Sequence, residues 1–141
     1  MAITTEPFSI GSYVYIGKAD HRDGTKVKSQ WTIPVSDENA AFALGITSGW
    51  ISGQAAWGLH LSGGVAGYLG RSSAAPGPSI DLCVAYFQLT DTCHGYPSDP
   101  GRSVREVPPE PVKNDWISKG YLRSAVVRKL GRVHRNAGCR N

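Results

Sequence analysis

Apolar and polar residues alternate along much of the first hundred positions, and a period of two points to strands. From Thr25 to Val35 the odd positions are Thr25, Val27, Ser29, Trp31, Ile33 and Val35. The even positions are Lys26, Lys28, Gln30, Thr32 and Pro34. Upstream, Phe8, Ile10, Ser12, Val14 and Ile16 alternate with Ser9, Gly11, Tyr13, Tyr15 and Gly17. Between the two runs lies Asp20-His21-Arg22-Asp23-Gly24, a polar stretch closed by the turn signal Asp-Gly. The pattern predicts a hairpin of 8–18 and 25–34. Pro34 cannot donate a ladder bond, so it ends the second strand or puts it at an edge.

The next stretch alternates by size. Phe42, Leu44, Ile46, Ser48 and Trp50 share one side, and Ala41, Ala43, Gly45, Thr47, Gly49 and Ile51 the other. After Ser52-Gly53-Gln54, Ala55, Trp57, Leu59 and Leu61 alternate with Ala56, Gly58, His60 and Ser62. Asn39–Gly70 holds eight glycines in 32 residues, and glycine costs a helix roughly 1 kcal/mol relative to alanine. Two strands joined by a short turn are therefore expected. Their small-residue face would let a helix, another sheet or a second subunit approach the backbone. A short strand follows at 65–71 and a Pro/Gly loop at 72–79. Residues 80–90 are apolar on both sides, as a central strand is.

Five prolines (Pro97, Pro100, Pro108, Pro109, Pro111) interrupt residues 91–113, so an extended arm is expected there. Beyond it Leu122, Val126, Leu130 and Val133 fall on one helical face, and Arg128, Arg132 and Arg135 on another. Asn114 or Ser118 would cap this helix and Gly131 would end it. The expected fold is α+β and mainly β. An antiparallel sheet of five or six strands (1–93) is followed by a Pro-rich arm (94–113) and a basic C-terminal helix (114–141), in one domain.

Charge sharpens this division. The formal net charge is +4. Residues 1–100 carry five Lys/Arg against eight Asp/Glu, and 101–141 carry ten against three. That split excludes a uniformly basic protein, a coiled coil and a collagen-like chain. Asn39–Gly70 has no charged residue, but its glycines and interleaved polar side chains do not make the roughly 20 apolar residues of a membrane span. The N-terminus lacks a basic stretch followed by an apolar one, so a cytoplasmic or virion location is expected. Three cysteines are too few for a disulfide scaffold. Reduced thiols are expected, with a Cys83–Cys93 disulfide as the oxidised alternative.

Little in the sequence points to catalysis. Tyr13–Ala19, "YVYIGKA", resembles the YIG element of GIY-YIG nucleases. The upstream GIY is missing, Arg22 lies in a turn-like segment, and Glu106 and Glu110 lie among prolines. The stretch therefore reads as a strand. Cys93 and His94 form one tight pair, whereas structural zinc uses two, so no metal and no cofactor are expected. Nucleophile elbow, phosphate loop and dinucleotide fingerprint are all missing, and no catalytic residue is assigned.

The strongest feature is the basic end, where Lys119, Arg123, Arg128, Lys129, Arg132, Arg135 and Arg140 follow Trp116 with no acid among them. Guanidinium and ammonium groups in such density suit phosphate contact, and Trp116, Tyr121 and His134 offer rings for base stacking. The expected protein is a non-enzymatic binding or assembly protein, such as a viral coat or nucleoprotein-like subunit. Its expected partners are nucleic acid, in RNA form, and further copies of itself, with no membrane. Two other classes compete. One is a small hydrolase or nuclease using His60 or His94. The other is an inhibitor or immunity-type module using Lys26, Lys28 and Gln30.

Overall fold

The computed structural model describes residues 6–25, 27–73, 79–101 and 103–130. The described residues mix α and β, with mostly antiparallel sheets and three α-helices. The strands do not form one sheet of five or six. They divide among small sheets, because turns and one helix interrupt the alternating runs.

The first run bends in its middle. β1 (Phe8–Ile10) and β2 (Tyr13–Tyr15) pair with each other, Phe8 opposite Tyr15, around a turn at Gly11. Gly11 has φ +57°, which a side chain would resist. The expected partner strand at 25–34 is reduced to β3 (Gln30–Trp31). Local side-chain bonds replace its ladder. The Gln30 side chain accepts from the Gly24 N–H at 2.8 Å and donates to the Asp20 carbonyl at 2.9 Å, while the Thr25 N–H donates to Asp23 Oδ1 at 3.0 Å.

The largest departure from the sequence pattern is α1 (Val35–Thr47), where a strand was expected. Pro34 opens this helix, its carbonyl accepting from the Asp37 and Glu38 N–H groups at 3.0 Å each. Asp37 and Glu38 lie in the first turn, where the helix dipole favours negative charge. Of the glycines counted against a helix, Gly45 alone lies inside it; Gly49 follows its end at φ +73°.

The central sheet runs in the order β11–β10–β5–β4: β4 (Ile51–Ser52), β5 (Ala55–Gly58), β10 (Val84–Gln88) and β11 (His94–Ser98). β10 covers only part of the strand expected at 80–90, and it is internal, as its two apolar faces require. A second sheet joins β3 to β8 (Gly70–Arg71) and β9 (Asp81–Leu82). β6 (His60–Ser62) and β7 (Val65–Gly67) form a hairpin. The expected small-residue approach is present, but a helix makes it. A Cβ at Gly45 would overlap the Trp57 carbonyl, and one at Gly58 would overlap that of Ala41. α1 therefore lies directly on the β5 backbone.

β10 divides the core between its faces. Ala85 and Phe87 join Tyr15, Trp31, Phe42 and Ala56, with Phe42 stacked on Tyr15 at 4.8 Å and edge-on to Phe87 at 5.2 Å. Val84 and Tyr86 join Trp50, Trp57, Val112 and Trp116 on the other side. Cys83 and Cys93 are buried thiols, and no disulfide joins them.

Residues 94–113, expected as an extended arm, contain β11, a 3-10 turn (Val104–Glu106) and the start of α2 (Glu110–Ser118). Pro97 is tolerated in β11 because that strand lies at the edge of its sheet. Pro109 and Pro111 suit the opening of α2, where a missing N–H leaves no helical bond unmade. The expected single C-terminal helix is broken in two, α2 and α3 (Ser124–Lys129), by a turn at Gly120. Asn114 lies inside α2 rather than at a cap, and Ser118 is its last residue. No helix among the described residues is long and apolar enough to cross a membrane.

Candidate nucleic-acid interface

The basic end is organised around the elbow between α2 and α3. Gly120, at φ +73°, lets the chain reverse. The Tyr121 N–H donates to the Trp116 carbonyl at 3.0 Å and the Gly120 N–H to that of Ile117 at 3.0 Å. These are the two bonds of a Schellman helix end. The Ala66 N–H donates to the Tyr121 carbonyl at 2.9 Å and ties the elbow to the β6–β7 hairpin. Leu122 in the turn before α3 and Val126 and Val127 within α3 are buried, and Leu130 packs against the same cluster. Burial of that face leaves the basic side chains outward.

Four of the seven sequence-predicted cations lie in the described residues. Arg123 and Arg128 are exposed, and Lys129 is half-buried at the end of α3. Arg128 folds back on its own helix, with Nη2 donating to Ser124 Oγ at 3.0 Å. Among the described residues neither Arg128 nor Lys129 has an acidic partner. Lys119 differs. Its Nζ lies 3.0 Å from Asp115 and about 6 Å from the Trp50 and Tyr121 ring centres, at 5.9 Å and 6.0 Å. Asp115 also accepts from the Trp50 indole N–H at 2.7 Å, and these two donors hold its carboxyl below its ordinary range. Lys119 is thus partly neutralised within the chain. Arg132, Arg135 and Arg140 lie outside the described residues.

Two grooves flank the elbow. One, of about 430 Å³, runs between Trp50, Pro109, Pro111, Asp115 and Lys119. The other, of about 530 Å³, runs between Ser62, Val65, Gly67, Tyr121 and Arg123. Of the rings expected to stack on bases, Trp116 is fully buried and offers no face. Tyr121 is half-buried on the wall of the second groove, beside Arg123. His134 lies outside the described residues.

The histidines of the hydrolase alternative are not among the residues that line these grooves. His94 Nδ1 is 2.9 Å from the Ile16 carbonyl, and His60 sits on β6 beside Gly67. Among the described residues neither has an acid or nucleophile as hydrogen-bond partner. For the inhibitor-type alternative, Gln30 is engaged by the loop and Lys28 pairs with Asp20 at 2.6 Å. Lys26 lies outside the described residues. No group of three His, Cys, Asp or Glu converges among the described residues as a metal ligand set.

The YIG-like stretch belongs to a buried polar knot that the sequence reading missed. Glu38, 1% exposed, accepts from the Tyr15 hydroxyl and from Arg22 Nε and Nη2 at 3.1 and 2.8 Å. Burial, reinforced by the Glu38 charge, drives the Tyr15 phenol far above its ordinary pKa, so it stays a donor. Glu38 lies on the α1 face that also carries Ala41 and Phe42, a signal visible only once the period is read as helical. No protein-family model, curated protein or solved structure matches this chain.

Proposed function

We propose that the protein is a non-enzymatic nucleic-acid-binding or assembly protein. The α2–α3 elbow and the basic residues that follow it form the contact surface. The observation that carries this reading is a set of cations on a buried apolar anchor, Arg123 and Arg128 exposed and Lys129 half-buried, with Arg123 lining a groove that Tyr121 also lines. Cations neutralise phosphates, which makes such binding dependent on salt. A ring beside a guanidinium offers one base a stacking surface. RNA is the form favoured, because unstacked bases are available in its single-stranded loops. A coat or nucleoprotein-like role, with several copies along one strand, is the larger form of the same proposal. The finer architecture it carries is a β layer that folds and a basic end that meets the polymer.

The test is anisotropy of a labelled single-stranded RNA titrated with the full chain across a series of salt concentrations. Arg128→Ala with Lys129→Ala should weaken binding and make log K against log salt shallower by about 1.4, at roughly 0.7 per lost phosphate contact on single strands. Salt-independent binding, or no binding near physiological salt, would overturn the proposal.

A further inference from the structure

A third cleft, of about 160 Å³, shares no residue with the elbow grooves. Ser29, Ser72, Tyr96, Asp99, Ser103 and Glu106 are among its lining residues. It forms where three segments meet: the loop before β3, the residues after β8, and the chain from β11 to the 3-10 turn. The Trp57 indole N–H fixes that turn by donating to the Glu106 carbonyl at 2.9 Å.

Glu106 is the unusual group. It is 8% exposed, yet it lines the cleft. Oε2 accepts from the Tyr96 hydroxyl at 2.8 Å and Oε1 from Ser98 Oγ at 2.7 Å. Both oxygens are engaged as acceptors. Both donors are neutral. Burial and the Glu106 charge push the Tyr96 phenol above its ordinary range, so it donates without becoming charged. Behind Tyr96 lies His21, stacked on its ring at 5.0 Å, and burial lowers the His21 pKa toward the neutral form. Among the described residues no Lys, Arg or His lies within ion-pair distance of Glu106.

The contrast is Glu38, also buried but paired with Arg22. Among the described residues Glu106 meets no cation, and burying a carboxylate in that way carries a desolvation cost. Hydroxyl donors offset it in part. Each Glu106 oxygen keeps acceptor capacity, Asp99, whose Oδ1 already accepts from the Gly101 N–H at 3.2 Å, adds a second carboxyl, and the serine hydroxyls add neutral acceptors. The volume lies below the ~300–1,000 Å³ of drug-sized pockets and suits a single functional group. Divalent Mg²⁺ and Ca²⁺ demand about six to eight oxygens in a shell, and no three acidic or metal-ligating side chains converge among the described residues. A planar guanidinium instead presents parallel N–H donors to both oxygens of one carboxylate.

We propose that this cleft is a receptor for one guanidinium group, held by Glu106 as the bidentate acceptor with Asp99 and the serine hydroxyls around it. The group is supplied either by a small guanidine compound or by an arginine side chain of a polypeptide. The test titrates the full chain with methylguanidinium chloride and with an N-acetyl-arginine amide, following amide NMR shifts of Ser29, Ser72 and Ser103. Sodium chloride at matched ionic strength is the reference.

Saturable shifts confined to the cleft are expected, with methylammonium binding several-fold more weakly. Saturation by methylguanidinium alone identifies a small-molecule site, and a clear preference for the arginine amide identifies a polypeptide side chain. Glu106→Gln should weaken binding at least tenfold. Asp99→Asn, at a half-buried position away from the Tyr96 and Ser98 bonds, should weaken it a few-fold in a folded chain. No saturable shift from either probe overturns the proposal, and so does binding that Asp99→Asn leaves unchanged.

Discussion

Burial treats the ionisable side chains of this protein in two ways. Glu38 is compensated on the spot, with Tyr15 holding α1 to β2 and Arg22 holding it to the segment that follows. His21 is held neutral instead. Its Nδ1 lies 2.8 Å from the Ser29 carbonyl, so that nitrogen carries the proton and donates. Nε2 lies 3.9 Å from Asp20 Oδ1, beyond hydrogen-bond reach. Burial is the largest cause of the lowered His21 pKa, and Lys28 adds to it, while the Ser29 bond, Asp20 and Glu38 oppose it.

The unfolded chain therefore takes up this proton before the folded chain does. The stability gained from neutral His21 is full above the ordinary value of 6.5 and is lost as the pH falls through the lower folded value. Asp20 and Asp115, whose pKa values are also lowered, lose their contributions only further down, from the ordinary 3.8. Urea midpoints should fall between about pH 7.5 and about pH 5.5, by at most about 1.4 kcal/mol per pH unit from this group. His21→Gln keeps a donor for Ser29 but does not titrate, and it should remove that part of the fall. A wild-type midpoint that stays flat across this window would refute the argument.

At the scale of elements, legibility depended on whether a pattern had one physical cause or two. β10 was plain, because two apolar faces fit only an internal strand. Val126 was plain, because its burial follows the period of α3, whereas Leu122 is buried from the turn before that helix. α1 was not. Alternation of large and small residues from Ala41 to Ile51 suits a strand, yet wound as a helix the same run brings Ala41, Phe42 and Gly45 together on one buried face. What decided for a helix was non-local: Gly45 and Gly58 let α1 and β5 touch backbone to backbone. The cations of the candidate interface were legible as a charge run, but their setting was not. The Gly120 reversal separates Lys119 from α3, and Asp115 partly neutralises it.

Gly45 gives this reasoning a measurable consequence. By propensity alone, Gly45→Ala should stabilise α1 by about 1 kcal/mol. Its Cβ, however, would overlap the Trp57 carbonyl, a backbone atom that cannot swing away. Overpacking of this kind costs about 1–3 kcal/mol, so the overlap outweighs the propensity gain and the substitution should destabilise. Gly49→Ala is the reference, with open space around it but φ +73°, a strain of roughly 1–2 kcal/mol. Urea denaturation of the two glycine variants beside wild type reads both effects. A Gly45→Ala chain more stable than wild type would mean that α1 does not rest on β5.

At the scale of the molecule, the central sheet is covered on both faces, and the last third of the chain supplies one cover. Two indole N–H groups fasten it, Trp57 to the Glu106 carbonyl and Trp50 to the Asp115 carboxylate at 2.7 Å. Trp116, fully buried, meets Trp50 edge-on at 5.6 Å. An aromatic of this size buries about 150–250 Å² and contributes roughly 4–6 kcal/mol at ~25 cal/mol per Å². Val112, Leu122, Val126 and Val127 are buried beside it and add ~1.5–3 kcal/mol each. Against a net stability of about 5–15 kcal/mol for a whole domain, that loss is decisive. A chain ending at residue 109 should therefore show no cooperative unfolding transition, and its Trp50 and Trp57 should lose their near-ultraviolet circular dichroism. Retention of both signals would make the C-terminal third an appendage to a self-sufficient β layer. Their loss would mean that the surface proposed to meet nucleic acid is also the outer side of the core, so that folding and presentation of the basic elbow are one event.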